Sequence, residues 1–450
     1  MKVVLVAANP ARTPYPVYPL GMAMVGSALK SAGHEVVQID LLQEGLSAEA
    51  VGELVRRESP GVVGISIRNI DNVNLLNEKR YVDATGDLVQ AIRRVSNATI
   101  VLGGSGFSIL PEQVLRRTGA DYGIVGEGEA AVVSLVAGVE RGVFPEQRIL
   151  REQGPALKGT EIPTACYDRR LMEFYLRHGN MASVQTKRGC EHHCSYCTYP
   201  GLEGSHWRCR DPRAVVDDVE MLLAEYNPAM LVFTDSVFND DEGHYIEVLK
   251  EMKRRGVRVP WTAFFRPAAI PDAEVSLMRD TGLRGVELGS DGASDATLRG
   301  LGKSFTFADV VECDSRFARH GVPRAHYFMF GCPGETENSV REGIRNVITL
   351  KGSVSFMFMG IRIFPGTGIE RQAIRDGVIA PGQDLLEPAY YIAPGIDRDW
   401  LERTLRDAFR QVRHCIFPAD AVEEHVQLLH KLGHTGLLWD MLAATRRARA

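Results

Sequence analysis

Along the first 142 residues, short β-branched apolar runs alternate with amphipathic stretches of helical period. The apolar runs are VVLVAA (3–8), HEVVQID (34–40), VVGISI (62–67), TIVLGG (99–104) and YGIVGEGE (122–129). Between them lie PLGMAMVGSALKSAG (19–33), a helix near 47–58, GDLVQAIRRV (86–95), LPEQVLRRTG (110–119) and a closing helix. Near-continuous apolar strands separated by helices are the pattern of βαβ units around a parallel sheet covered on both faces. Five strands of a doubly wound domain are expected. Ligands of such sheets bind outside the carboxyl ends of the strands. Those ends carry Asn9, Arg68-Asn69, Gly103-Gly104-Ser105 and Gly126-Glu127-Gly128, residues that either make room for a ligand or simply allow tight turns.

Residues 143–180, with Pro145, Gly154-Pro155 and Pro163, show little periodicity and read as a linker. A second alternation fills 181–370, with strands expected at SVQTK (183–187), MLVFTD (230–235), WTAFF (261–265), GVELGS (285–290), AHYFMF (325–330) and MGIRIF (359–364), and helices such as 211–226 between them. Six strand–helix units suit a partial barrel, whose chemistry belongs at the strands' carboxyl ends. From 371 to 450 the chain reads as a small helical cap, with helices from about Asp397 and a basic tail, Arg446-Arg447 and Arg449, expected to be a solvated terminus. The fold class is therefore α/β: an N-terminal doubly wound parallel sheet, a partial (β/α)6 barrel and a helical C-terminal segment.

Composition narrows the function. The 450 residues are 45% hydrophobic and 24% charged, with a net charge of −5, the balance of a globular protein without the basic excess that phosphate-backbone binding favours. Neither nucleic acid nor a membrane is expected as a partner, since no window reaches the 18 apolar residues of a span. The first ten residues carry no long apolar h-region, so a cytoplasmic location is expected. Eight cysteines are sparse for a disulfide scaffold, and three of them fall within eight residues, which points to a metal.

These are Cys190, Cys194 and Cys197, in the run Gly189-Cys190-Glu191-His192-His193-Cys194-Ser195-Tyr196-Cys197. One loop can thus place three thiolates around a single iron–sulfur cluster, leaving one iron open. A structural zinc ion would need a fourth ligand, for which His192, His193 and Cys209 are at hand. A cluster completed by a distant cysteine is the third possibility.

This cysteine spacing, with an aromatic residue before the last cysteine, resembles the radical-SAM superfamily, and the likeness extends over about 183–370. The resemblance implies a 4Fe-4S cluster whose open iron is chelated by S-adenosylmethionine, which is reductively cleaved to a 5′-deoxyadenosyl radical. It also implies that Tyr196, Thr234-Asp235-Ser236 and Asp291, with Pro365, surround S-adenosylmethionine. Asp291 stands where the family usually has Glu, and Glu287 is the alternative. The loops Gly331–Thr336 and Arg362–Thr367 match the family in order, and Cys332 is expected to be an inert buried thiol.

The N-terminal domain resembles that of the cobalamin-binding subgroup through Pro16–Gly21, Val101–Gly106 and Gly126–Glu129. The resemblance implies a corrinoid cradle formed by Arg68, Asn69, Gly103, Gly104, Gly126 and Glu127. Asp-x-His-x-x-Gly, which supplies a cobalt ligand in many cobalamin proteins, does not occur, and the histidine preceding residue 150 is His34, at a strand's start. Arg68 would then lie beneath the corrin and disfavour a further donor. The implied function is cobalamin-dependent radical C-methylation of a small polar metabolite in natural-product biosynthesis. The alternative is a cobalamin-independent radical dehydratase of an aminoglycoside diol, with an RNA methylthiotransferase or an electron carrier of lower weight. Acid–base groups are sought at strand ends in Asp235, Glu287, Arg324, His326 and Arg362, and alternation in 324–328 predicts that His326 faces the barrel interior. Tyr390, Tyr391 and Trp400 are candidates for the pocket lining. The electron donor would be a flavodoxin, a ferredoxin or a partner reductase.

Overall fold

The computed structural model describes residues 1–12, 15–43, 46–151 and 156–444. Gly154-Pro155 and the basic tail lie outside the described residues. Six parallel strands form the first sheet: β1 (Lys2–Ala7), β2 (Glu35–Asp40), β3 (Val62–Ser66), β4 (Thr99–Gly103), β5 (Tyr122–Val125) and β6 (Ile149–Arg151), in spatial order β2-β1-β3-β4-β5-β6. Side-chain alternation in β1 explains why the sheet is covered on both faces. Val4 and Val6 belong to one apolar core with Val51, Val55 and Leu88, whereas Val3 and Leu5 belong to another with Met22, Ala23 and Leu135. The sequence anticipates five of these strands. The sixth, together with the helix Arg169–His178, falls in the segment read as a linker, because three residues are too few to show a period.

The second sheet is also parallel. It starts at β7 (Met181–Val184); a short antiparallel hairpin of β8 (Lys187–Arg188) and β9 (Arg208–Cys209) follows outside it. The sheet continues with β10 (Met230–Phe233), β11 (Trp261–Phe265), β12 (Leu283–Asp291), β13 (Arg324–Phe330) and β14 (Val354–Met359). Next come β15 (Ile361–Arg362) and β16 (Tyr390–Tyr391), which pair with each other, and β17 (Cys415–Ile416), which adds a seventh strand beside β14. The sixth strand therefore precedes the predicted 359–364 run. Gly360, at φ +71°, ends β14 and turns the chain into β15. The C-terminal segment supplies two strands as well as helices, each only two residues long.

Inside this curved sheet, Met181, Met230, Val232, Ala325, Val354 and Phe356 form one cluster with Leu437 and Trp439 from the C-terminal segment. The segment thus plugs the barrel. Gly285 makes the room: a Cβ there would meet the Trp439 ring at 2.9 Å and Leu437 at 3.0 Å.

Candidate functional site

The carboxyl ends of both sheets open onto one cavity of about 420 Å³. Its lining includes Asn9, Arg68, Gly103, Gly104, Gly126 and Glu127 from the first sheet's ends and Thr234, Asp235 and Phe264 from the second. Asn69 and Pro365 do not line it. Glu127 is held by Arg208 and, at 3.3 Å, by Arg188, which also reaches Glu129 at 2.6 Å. These buried ion pairs join the first sheet's loops to the β8–β9 hairpin. Gly104, at φ +95°, lets its turn close against the Ile67 carbonyl, 2.6 Å from where a Cβ would sit.

The cysteine loop is held from several directions. The Ser195 N–H donates to the Leu301 carbonyl at 2.9 Å, and the Ile369 N–H donates to the Ser195 carbonyl at 2.6 Å. Gly302 approaches so closely that a Cβ would sit 2.9 Å from the His193 carbonyl. The Ser236 hydroxyl donates to the Gly189 carbonyl at 2.8 Å. Burial pushes the Cys197 thiol up to about 12, with Cys194 and Cys190 adding to the rise. A cation bound beside Cys197 would offset that rise and favour its thiolate. Among the described residues, no three His, Cys, Asp or Glu side chains are drawn together as a single-ion site.

Beside this loop the structure joins Tyr196 to Asp291, as 2.7 Å separates the phenol oxygen from the carboxylate. It adds Lys303, whose ammonium pairs with Asp291 and lies 3.2 Å from the Tyr196 hydroxyl and 3.1 Å from the Cys194 sulfur. Charge and hydrogen bonding from Asp291 hold Lys303 well above its usual range despite burial. Lys303 lies 12 residues beyond Asp291, and its spacing from the cysteines gives no sign of this contact.

Asp235 is tied down rather than free. Its carboxylate accepts from the Thr186 N–H at 2.7 Å and hydroxyl at 2.6 Å, and it shares the buried Lys187 with Asp240, each at 3.1 Å. Thr234 and Ser236 flank it, the former on the cavity wall.

Four of the five acid–base candidates prove not to stand at cavity-facing strand ends. Arg324 begins β13, at the end remote from the cavity, where Asp314 holds it at 3.0 Å. His326 faces outward: its ring bonds Asp314 of the helix Phe307–Arg319 at 3.0 Å and Ser290 at 2.8 Å. Ala325 and Tyr327 face the interior instead, because the buried Asp314 satisfies Arg324 and His326 on the helical side. Arg362 is sealed in a pair with Asp71 at 2.8 Å and donates to the carbonyls of Ile363 and Leu385, both at 2.7 Å, so it clamps the two halves of the molecule together. Glu287 sits midway along β12 inside the barrel, accepting from the Tyr327 hydroxyl at 3.0 Å and the Trp439 indole at 3.4 Å. Burial pushes its carboxyl up to about 7.

Tyr390, Tyr391 and Trp400 also lie off the cavity. Tyr391 donates to Asp376 at 2.6 Å, and Trp400 packs under the Arg341 guanidinium. Sequence reasoning missed Glu203, a cavity-lining acid on the short helix after the cysteines. Burial pushes its carboxyl up to about 6, against the opposing charge of Arg188. His34 is at the far end of β2, between the N-terminal amine at 3.2 Å and Glu140 at 3.7 Å.

Residues 8–136 match the B12 binding domain model and 184–346 the radical SAM superfamily model. The chain is 26% identical to the tryptophan 2-C-methyltransferase of Streptomyces laurentii, over 82% of this chain and 74% of that protein. It is 23% identical to the cytidylyl-2-hydroxyethylphosphonate methyltransferase of Streptomyces wedmorensis, over 83% and 81%. The solved structure of the radical S-adenosylmethionine methyltransferase TsrM from Kitasatospora setae, with cobalamin and a [4Fe-4S] cluster bound, superposes with a TM-score of 0.84 at 25% identity, over 100% of this chain and 99% of that one. With its sheet and its barrel opening onto one cavity, the chain joins an N-terminal B12 binding domain to a radical SAM domain.

Proposed function

We propose that this enzyme is a cobalamin-dependent radical SAM methyltransferase that methylates carbon in a small polar metabolite of natural-product biosynthesis. The observation that carries the reading is the single cavity bounded by the carboxyl ends of both sheets, which lets a group held by one domain face a group held by the other. Cys190, Cys194 and Cys197 would hold a 4Fe-4S cluster. S-adenosylmethionine would lie between that loop, the Thr234–Ser236 strand end and the Tyr196–Asp291 pair, with Pro365 on the adjoining loop. Arg68, Gly103, Gly104, Gly126 and Glu127 would cradle the corrinoid, with Asn69 beside them.

Open space along the ends of the first sheet supports the corrinoid part of this reading. A Cβ added at Gly21 meets nothing within 4 Å, and one at Gly103 or Gly126 meets only a single carbonyl at 3.9 Å, so the floor is open. The buried Asn9 Oδ1 at the cavity edge has no hydrogen-bond partner. When bound, the cluster supplies an electron to the sulfonium of S-adenosylmethionine and the corrinoid serves as a methyl carrier.

The chain's own part is to bind, orient and keep water out. Apolar Met24, Val132, Tyr15 and Phe264 cover much of the cavity wall. Arg68, on the cavity wall, would help hold the corrinoid, and its guanidinium has no free lone pair to give a metal. Glu203, whose carboxyl receives only long contacts from Gln185 at 3.4 Å and the Gly189 N–H at 3.3 Å, is the group we assign to hold a proton beside the substrate. The electron donor would be a flavodoxin, a ferredoxin or a dedicated reductase, and the setting the cytoplasm; among the described residues no helix is long and apolar enough to cross a membrane.

The test is to incubate the reconstituted enzyme with S-adenosylmethionine carrying a trideuteromethyl group, a low-potential reductant and panels of small metabolites. Product carrying the label together with S-adenosylhomocysteine is expected. 5′-Deoxyadenosine with loss of water from a diol substrate would instead establish a dehydratase.

A further inference from the structure

We infer that Lys303 sets the reduction potential of the cluster through its contact with the Cys194 sulfur. This rests on the proposal that Cys190, Cys194 and Cys197 hold that cluster. The Lys303 ammonium is 3.1 Å from Cys194 Sγ, hydrogen-bond range for a sulfur acceptor. The side chain has little freedom to leave, being 9% exposed and flanked by the rings of Tyr196 and Phe305 at 5.4 and 5.9 Å. Asp291 anchors its other side, and the Tyr196 hydroxyl, 3.2 Å from the ammonium and 2.7 Å from Asp291, closes the triangle.

One-electron reduction adds one negative charge to the cluster and its thiolates, the electron coming from an external low-potential donor. A cation donating to a ligating sulfur stabilises the reduced, more negative form, and hydrogen bonds to sulfur are among the protein's main means of tuning such clusters. Asp291 opposes this effect without cancelling it. The contact made with the sulfur is the ammonium's, and Coulomb energy falls with separation. The pair therefore presents its positive end to the cluster. Lys303 is a positioning and potential-setting residue that need not touch the substrate.

The test is an EPR-monitored redox titration of the reconstituted full-length protein, after iron and sulfide analysis. Lys303→Met is expected to hold its iron but to lower the equilibrium constant for one-electron reduction at least tenfold, a shift of about 59 mV for one electron. Lys303→Arg, which keeps the charge, should remain within about threefold of wild type. Asp291→Asn, which removes the opposing charge, should shift the constant in the other direction. The inference is overturned if Lys303→Met is fully loaded at an unchanged potential, if Asp291→Asn shifts it the same way as Lys303→Met, or if Met and Arg variants alike fail to retain iron. A failure of the underlying reading is distinct: Cys190→Ala would then retain the wild-type iron content and EPR signal.

Discussion

Replacing Glu287 by Gln should stabilise the fold at alkaline pH and leave it nearly unchanged at acid pH. Glu287 is enclosed in the barrel between Tyr327 and Trp439, and the two hydrogen bonds it accepts come from neutral donors. Burial raises its carboxyl from 4.5 to about 7. The sign follows from proton counting. Between about pH 4.5 and 7 the folded state binds more protons than the unfolded chain, so stability falls as pH rises through that window and levels off above it. At about 1.4 kcal/mol per pH unit, the gap corresponds to a cost of about 3 kcal/mol above pH 7. Gln avoids ionisation: its carbonyl can accept from the Trp439 indole while its amide donates to the Tyr327 oxygen. Urea unfolding followed by tryptophan fluorescence should therefore place the variant within about 1 kcal/mol of wild type at pH 5.0 and about 3 kcal/mol above it at pH 8.5. An equal difference at both pH values, or a more stable wild type at pH 8.5, would refute the reasoning.

Arg362→Met leaves the buried Asp71 carboxyl without its partner, and removing one partner of such a pair costs about 3–5 kcal/mol; thermal unfolding should show a clear loss, partly recovered when Asp71→Asn is added, and no recovery would mean that the two do not act as a pair. Because His34 lies at the far end of β2, uniform ¹⁵N labelling of the protein should leave the EPR hyperfine pattern of bound Co(II) corrinoid unchanged, whereas a triplet converted to a doublet would reveal a protein nitrogen on cobalt. Gly21→Phe projects a ring into the cavity from a helical position with open space around its Cβ, so corrinoid retention on gel filtration should drop at least tenfold with circular dichroism unaltered. Undiminished retention would put the corrinoid elsewhere.

Where local pattern carried the information, the sequence was a sufficient guide. The apolar runs of β1 to β5 are bounded by glycines and helices of clear period, and the cysteine triplet lies within one loop. What stayed hidden depended on distant partners. In Arg324–Phe330, apolar residues occupy both phases of the alternation, with Ala325, Tyr327 and Met329 on one and Phe328 and Phe330 on the other. The phase is decided by Asp314, on another element. Arg362 gave no sign of its pairing with Asp71, 291 residues away in the chain. Lys303 is 109 residues from Cys194, and Trp439 enters the barrel from a segment that looked like a peripheral cap. Strands of two or three residues, such as β6, β16 and β17, are made by pairing rather than by propensity.

The most direct measurement is the corrinoid content of the purified chain after anaerobic incubation with cobalamin and desalting, read from its visible absorption. A cavity shared by a B12 binding domain and a radical SAM barrel predicts about one corrinoid retained per chain. A wild-type protein that emerges folded, iron-loaded and free of corrinoid would contradict it.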